Sequence, residues 1–371
     1  MHVSMVVPRH LIYIANARFP TEKAHGIQLA KMVEAFSAAG VALTLILPRL
    51  GSAEDPFIYY GIARGSGSVT ITHVWTTSSR ATAFGFFVSG FIFGITSALA
   101  AVRLRGVIYS IDLDNFSFFA VPLLRRPYFF EIHSAKKNTF WYRWLFSRIT
   151  GVIAINSNVE EALVKTFPIL RNKSMVCPNG VDLRLYTQGV KREIKHPAVV
   201  YTGSFQAWKG MGTVVEAAKR LPDVHFYLVG GVENLPNLPD NVELLPPQPF
   251  KEMPSWQMAA DVLLLTGTKT DEYSYRYTSP MKLYEYMAAG RPIVAARTPA
   301  ITQAASEKEV FFYEPDNAES LADAIKTALS DTNTAGAKVV AARARAAEYT
   351  WDKRAARIAA FVDTQLTQFT Q

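Results

Sequence analysis

Cysteine is almost absent from this chain: Cys177 stands alone among 371 residues. That excludes an internal disulfide and a Cys-rich metal cluster, and Cys177 reads as a small buried hydrophobe from a reducing compartment. Charge is sparse, at 19% of side chains, while hydrophobic residues make up 49%. Disorder, a collagen-like chain and a small stapled scaffold are thereby excluded. At roughly 100–200 residues per domain, two domains are expected. No basic stretch, apolar run and small-residue cleavage site open the sequence, so the expected location is the cytoplasm. Zinc-finger spacing, a ribonucleoprotein signature and a heptad with a basic region are all missing, so nucleic acid is not expected as a partner.

A second absence is local. From Ala81 to Val102 there is no charged residue. Twenty-two helical residues would extend about 33 Å, close to the roughly 30 Å of a bilayer's hydrocarbon. The run carries Gly85, Gly90, Gly94 and several hydroxyl residues, and it lies between strands that must share one sheet. A spanning helix would separate those strands across the bilayer. The expectation is therefore a buried helix that grazes a membrane at most.

The charge that is present is unevenly placed. Lys and Arg number 39 against 31 Asp and Glu, a formal net charge of +8. Between residues 100 and 150 there are eight basic side chains and three acidic ones, Asp112, Asp114 and Glu131. A local basic excess suits an anionic surface or ligand. Within it, Phe140–Phe146 reads Phe-Trp-Tyr-Arg-Trp-Leu-Phe beside Lys136, Lys137 and Arg148. Two readings stand: a headgroup-interface segment exposing Trp141, Arg143 and Trp144, or a helix packed on the sheet with snorkelling basic residues.

Short apolar runs alternate with amphipathic helical stretches along the whole chain. Leu11–Ala15, Ala42–Leu47, Gly106–Ile111, Tyr128–Ile132 and Gly151–Ile155 read as strands in the first half. Ala198–Thr202, His225–Val229 and Val262–Leu265 read likewise in the second, with helices at Ile27–Ala39, Gly212–Arg220 and Pro280–Ala289. Such alternation predicts parallel sheets covered on both faces. The polar, aperiodic segment 183–196 marks the boundary. The expected α/β architecture is two doubly wound, Rossmann-like domains facing a cleft, over residues 1–185 and 186–350.

Two segments suggest chemistry. Tyr201-Thr-Gly-Ser-Phe-Gln-Ala-Trp-Lys-Gly210 follows a buried strand and precedes a helix. Glycine after a strand allows close backbone approach, and Lys209 adds a point charge beside the next helix start, a combination that suits a diphosphate. In Thr278-Ser-Pro-Met-Lys-Leu-Tyr-Glu-Tyr-Met-Ala-Ala-Gly290, Ser279 fits an N-cap, Pro280 a first turn and Gly290 a stop. Glu285 falls one to two turns further along and suits sugar hydroxyls.

These segments, with others in the same order, resemble the retaining family 4 glycosyltransferases of GT-B fold. Cys177-Pro-Asn-Gly-Val-Asp182 is similar to that family's hinge-proximal motif, and Gly203 with Lys209-Gly210 has the spacing of its phosphate loop. Ser279 to Gly290 resembles its donor-binding helix. Lys23-Ala-His-Gly-Ile27 takes the place of its glycine loop, and Phe130-Glu-Ile-His133 resembles the strand ending in a sugar-facing histidine. The segment 351–371, opening on Trp351, is similar to the helix that crosses back to the first domain. Two positions depart from the pattern: Ser204 stands where an arginine is usual, and Tyr277 where the first of two glutamates is usual.

The resemblance implies transfer of a sugar from a UDP- or GDP-sugar to a glycan or lipid-linked acceptor, in bacterial cell-envelope or exopolysaccharide synthesis. His133, Lys209 and Glu285 are the implied catalytic set. Gly26, Gly203, Ser204, Lys209, Ser279, Pro280, Met281, Lys282 and Glu285 would surround the donor. Lys136, Lys137, Trp141, Arg143 and Trp144 would face the acceptor or a membrane. No cofactor and no metal are expected. A catalytically silent GT-B subunit and a nucleotide-sugar 2-epimerase stay open as alternatives.

Overall fold

Every strand pairing in the computed structural model runs parallel, in two separate sheets. Residues 10–50, 54–77, 82–114, 116–187, 190–233, 235–278 and 281–370 are described. The chain divides into two units: residues 1–178 with 351–371, and residues 179–350. The first division thus precedes residue 185, because the turn after Pro178 already pairs with the far end of the second unit. There the Val181 N–H donates to the Tyr349 carbonyl at 2.8 Å.

Unit 1 holds β1 (His10–Ile14), β2 (Ala42–Pro48), β3 (Val69–Val74), β4 (Val107–Ile111), β5 (Tyr128–Ile132), β6 (Gly151–Ala154) and β7 (Ser174–Val176). Their order, β3-β2-β1-β4-β5-β6-β7, is that of a doubly wound sheet. The central strands β1, β4, β5 and β6 are almost entirely buried, which is why they read as unbroken apolar runs. Helices α1 (Ala24–Ala38), α2 (Pro56–Tyr60), α3 (Ala83–Val102), α4 (Phe140–Phe146) and α5 (Ser157–Thr166) connect them. Thr82, Thr139 and Asn156 cap α3, α4 and α5 through side-chain oxygens.

Unit 2 holds β8 (Ala198–Thr202), β9 (His225–Val229), β10 (Val242–Leu245), β11 (Val262–Leu265), β12 (Ile293–Ala296) and β13 (Phe311–Tyr313) in the order β10-β9-β8-β11-β12-β13. Around them lie α6 (Arg184–Thr187), α7 (Met211–Lys219), α8 (Met253–Ala259), α9 (Met281–Ala289), α10 (Pro299–Thr302), α11 (Ala318–Ser330) and α12 (Thr332–Ala346). The last helix, α13 (Trp351–Thr370), returns to unit 1, where it packs on α1 and β6. Its buried face is Trp351, Arg354, Ala355, Ile358 and Val362, a helical stripe with one cation in it.

The structure corrects one expectation about α3. It packs on β2 and β3, which belong to one sheet with β4 and so cannot be parted by a bilayer. Yet only 39% of its most apolar window is buried. It covers the sheet without being covered itself.

Candidate functional site

In unit 2 the chain leaves β8 through Gly203, whose φ of +136° no side-chain-bearing residue adopts comfortably. Glycine is needed here for a second reason: a Cβ would lie 2.6 Å from Lys282 Nζ. Gly230, just past the end of β9, is also tightly placed, with its absent Cβ 3.2 Å from the Gly203 nitrogen. The strand ends therefore converge on bare backbone with an ammonium group beside it.

Lys282, one residue into α9, donates to the Tyr201 hydroxyl at 3.0 Å and stands 4.2 Å from that ring's centroid. The Tyr201 hydroxyl donates in turn to the Ser204 carbonyl at 2.9 Å. Lys209 Nζ donates to Ser204 Oγ at 2.6 Å. Burial, then the charge of Lys282, pulls the Lys209 pKa down to about 8. Burial does the same to Lys282, to about 8, against the partial relief of Glu285. Two desolvated cations side by side raise each other's free energy until an anion joins them.

Glu285 lies on α9 one turn beyond Met281, which opens the helix. Burial pushes its carboxyl pKa up, while Gln257 and Lys282 act the other way. Gln257 Nε2 reaches Glu285 at 3.4 Å and Thr202 Oγ1 at 3.2 Å, and its carbonyl accepts from Tyr186 at 2.6 Å. Gly290 closes α9 with a φ of +68°. Ser279 and Pro280 lie outside the described residues. Tyr277 ends a π-helical turn, Tyr273–Tyr277, just before them.

Unit 1 builds a different kind of site at the end of β5. His133 Nε2 lies 2.8 Å from Glu131 Oε1, which also accepts from Gln28 at 2.5 Å and from Arg354 at 2.8 Å. The Tyr109 hydroxyl donates to the other Glu131 oxygen. Burial alone would raise the Glu131 pKa; Arg354, then His133 and Tyr109, outweigh it and hold the carboxyl well below the usual range. Arg354 further donates to the Pro178 carbonyl at 3.0 Å. His25 lies near this group, its pKa lowered by burial and then by Lys23 and His133.

Gly26 is not in a loop. It belongs to the first turn of α1, with its N–H on the Lys23 carbonyl at 2.9 Å. A Cβ there would overlap the Tyr60 hydroxyl and Thr21 Cγ2, so packing inside unit 1 already requires glycine. Lys136 is also placed differently from expectation. It is buried, pairing with Asp112 at 2.5 Å, and cannot present its charge to a surface. Lys137, Trp141 and Arg143 are exposed, whereas Trp144 is half-buried under Arg148, 5.0 Å from its ring.

Three residues of these sites, Gln28, Gln257 and Arg354, carry no motif in the sequence. Arg354 does have a signal: a cation on the apolar stripe of an amphipathic helix must have a buried partner. Gln28 lies within the first helix beside Gly26, and nothing in its spacing distinguishes it.

Residues 196–331 match the family described as Glycosyl transferases group 1. A D-inositol 3-phosphate glycosyltransferase of Xylanimonas cellulosilytica is 23% identical over 235 residues, 56% of this chain and 55% of that protein. The chain thus spans about half the length of the curated relatives it matches. Sucrose-phosphate synthase from Thermosynechococcus elongatus superposes with a TM-score of 0.75 at 17% identity, over 97% of this chain and 100% of that one. Anabaena HepE, solved in complex with UDP and glucose, gives 0.70 at 16% identity, over 96% and 99%. The two parallel-sheet α/β units have the fold of GT-B glycosyltransferase structures, and the stretch similar to the glycosyl transferases group 1 family lies within unit 2.

Proposed function

We propose that this protein is a retaining glycosyltransferase of family 4. It moves a sugar from a UDP- or GDP-sugar to a glycan or lipid-linked acceptor, without a metal ion, in bacterial cell-envelope or exopolysaccharide synthesis at the cytoplasmic face of the plasma membrane. The observation that carries the reading is the pair Lys209 and Lys282, both with pKa values drawn down to about 8 around the bare backbone of Gly203. A diphosphate supplies the charge that this pair lacks. The UDP and glucose held by Anabaena HepE agree with such a donor.

In glycosyl transfer the bond from the anomeric carbon to the diphosphate breaks, through an oxocarbenium-like state, as negative charge grows on the departing group. Preorganised cations at that point stabilise the transition state more than the ground state. Lys209 and Lys282 have this role, with the backbone at the start of α9. Glu285, held at Gln257, accepts hydrogen bonds from the ribose hydroxyls. His133 orients the donor sugar, its ring fixed by Glu131.

The test is titration calorimetry with UDP and GDP, with and without magnesium, on wild type and Lys209→Ala, followed by NMR of the product's anomeric configuration. Metal-independent binding of one nucleotide, lost in Lys209→Ala, with retained configuration is the expected result. Binding that survives the substitution would remove Lys209 from the site, and absence of turnover with intact binding would favour a silent subunit.

A further inference from the structure

The side chains of α3 are distributed against the usual rule for a surface helix. Apart from Phe93, the face turned to the protein is built of small residues, among them Gly85, Ser89, Gly90, Gly94, Ser97 and Ala98. A Cβ on Gly94 would stand 2.7 Å from the Ser117 carbonyl oxygen, so the approach requires glycine. The large apolar residues Phe84, Phe87, Phe91, Ile95, Leu99 and Val102 recur at three- and four-residue intervals and are exposed, Phe84 by 76% and Leu99 by 64%. A helix stabilised by burial in water turns its large apolar side inward. Here that side faces out, in a continuous strip longer than the scattered exposed hydrophobes of ordinary surfaces.

At its N-terminal end the strip opens into a cavity of about 510 Å³. Phe87 and Phe91 belong to both; Phe116, Phe119, Trp141 and Trp144 supply the other aromatic walls. Phe91 and Phe119 stack at 4.3 Å with their planes 7° apart, so the wall is ordered by its own contacts. The volume falls within the roughly 300–1,000 Å³ of sites that hold small organic ligands. Lys136 and Lys137 also line it, the former tied to Asp112 and the latter exposed.

The charges around strip and cavity point to one kind of surface. All three carboxylates between residues 82 and 150 are turned inward: Asp112 to Lys136, Asp114 to the N–H groups of Phe116 and Ser117, and Glu131 to Arg354. Exposed on the same segment are Arg103, Arg105, Arg125, Lys137, Arg143 and Arg148. An uncharged apolar strip on a segment whose exposed charges are all cations complements a hydrocarbon layer beneath anionic headgroups. From residue 82 to 102 it has no charged group that would set the register of a protein partner.

We propose that unit 1 rests on an anionic bilayer through the outer face of α3, and that the aromatic cavity takes up one hydrocarbon chain of a lipid from it. Every residue involved belongs to unit 1, so the proposal stands or falls independently of the chemistry in unit 2. The experiment is co-sedimentation of the full chain with vesicles of phosphatidylglycerol and phosphatidylcholine, beside quenching of tryptophan fluorescence by doxyl-stearate.

Wild type partitions onto the anionic vesicles, and Phe84→Ser with Leu99→Ser weakens this by about tenfold for each side chain lost. Both positions are exposed, so an unchanged melting curve accompanies the loss. Ala135→Phe, which fills the cavity from its lining, keeps the vesicle partition but abolishes saturable quenching. Equal partition of the strip variant, or equal quenching of the filled variant, overturns the proposal. So does a wild-type dimer that ignores vesicles and dissociates in the strip variant, since the strip would then be a contact between two copies.

Discussion

Unit 1 and unit 2 each bury ionisable groups beside the end of a strand, and they treat them in opposite ways. Glu131 in unit 1 is oversupplied: a guanidinium, a phenol, an amide and an imidazole converge on one carboxylate. Lys209 and Lys282 in unit 2 are undersupplied, and neither takes part in an ion pair among the described residues. Glu131 is held charged and its pKa driven down, whereas the two lysines are pulled toward neutrality and Glu285 is pushed up. A saturated group is finished by folding. On the proposed reading, an unsaturated pair is finished by a ligand. The contrast separates a scaffold from a receptor without reference to what either binds.

The largest effect is expected on the scaffold side. Arg354→Leu leaves Glu131 as an uncompensated buried charge and is expected to cost about 3–5 kcal/mol in denaturant unfolding. Adding Glu131→Leu should return much of that loss, because both charges are then gone. The Glu131 contribution is present above its ordinary pKa of 4.5 and is lost as pH falls through the lowered native value. Wild type should therefore lose stability on acidification in a way that the double variant does not.

On the receptor side, Lys209→Ala and Lys282→Ala should each lower turnover by about 10²- to 10³-fold with little change in stability. Lys282→Ala has a second consequence, opposite in kind to anything at Glu131: the Lys209 pKa rises once its neighbour's charge is removed, readable by NMR of the side-chain amine. Glu285→Gln should weaken donor binding by about 10- to 100-fold in calorimetry, the loss of charged hydrogen bonds to hydroxyls.

Smaller effects follow from protonation. A bound diphosphate favours both charged lysines, so binding takes up protons near pH 8 and weakens as pH rises through about 8. Calorimetry in buffers of different ionisation heat reads the uptake directly. A flat profile between pH 7 and pH 9 would place both lysines outside the contact. Ser204→Ala, which removes one neutral partner of Lys209, should change turnover by only ~2- to 10-fold.

Much of the scaffold is legible in the sequence because central parallel strands are apolar along their whole length. The strands at 198–202, 225–229 and 262–265 have the bounds that their apolar runs suggest. Five strands escape that reading, and four of them, β3, β7, β10 and β13, are the sheet edges. An edge strand buries fewer of its residues, so β3 is Val-Thr-Ile-Thr-His-Val and β10 is Val-Glu-Leu-Leu, neither a continuous apolar run. In the candidate site, Gly203, Lys209 and Glu285 are visible as local motifs. Gln257 and Gln28 are not, because each reaches its partner across a large sequence separation, and local spacing carries no record of that; for Arg354 the apolar stripe shows that a buried partner exists and not that it is Glu131. The α3 strip departs from expectation for a related reason: composition shows that a helix is apolar and not which of its faces is covered.

Unit 1 is interrupted in sequence by the whole of unit 2, residues 179–350. A ribosome delivers β5 with its carboxylate long before it delivers the guanidinium of residue 354. Unit 2, continuous in the chain, can complete its sheet during that interval. Unit 1 has all seven of its strands by residue 176, yet Glu131 has no guanidinium partner until the final helix emerges. A chain that stops before Trp351 therefore leaves the Glu131 carboxylate without its main counter-ion.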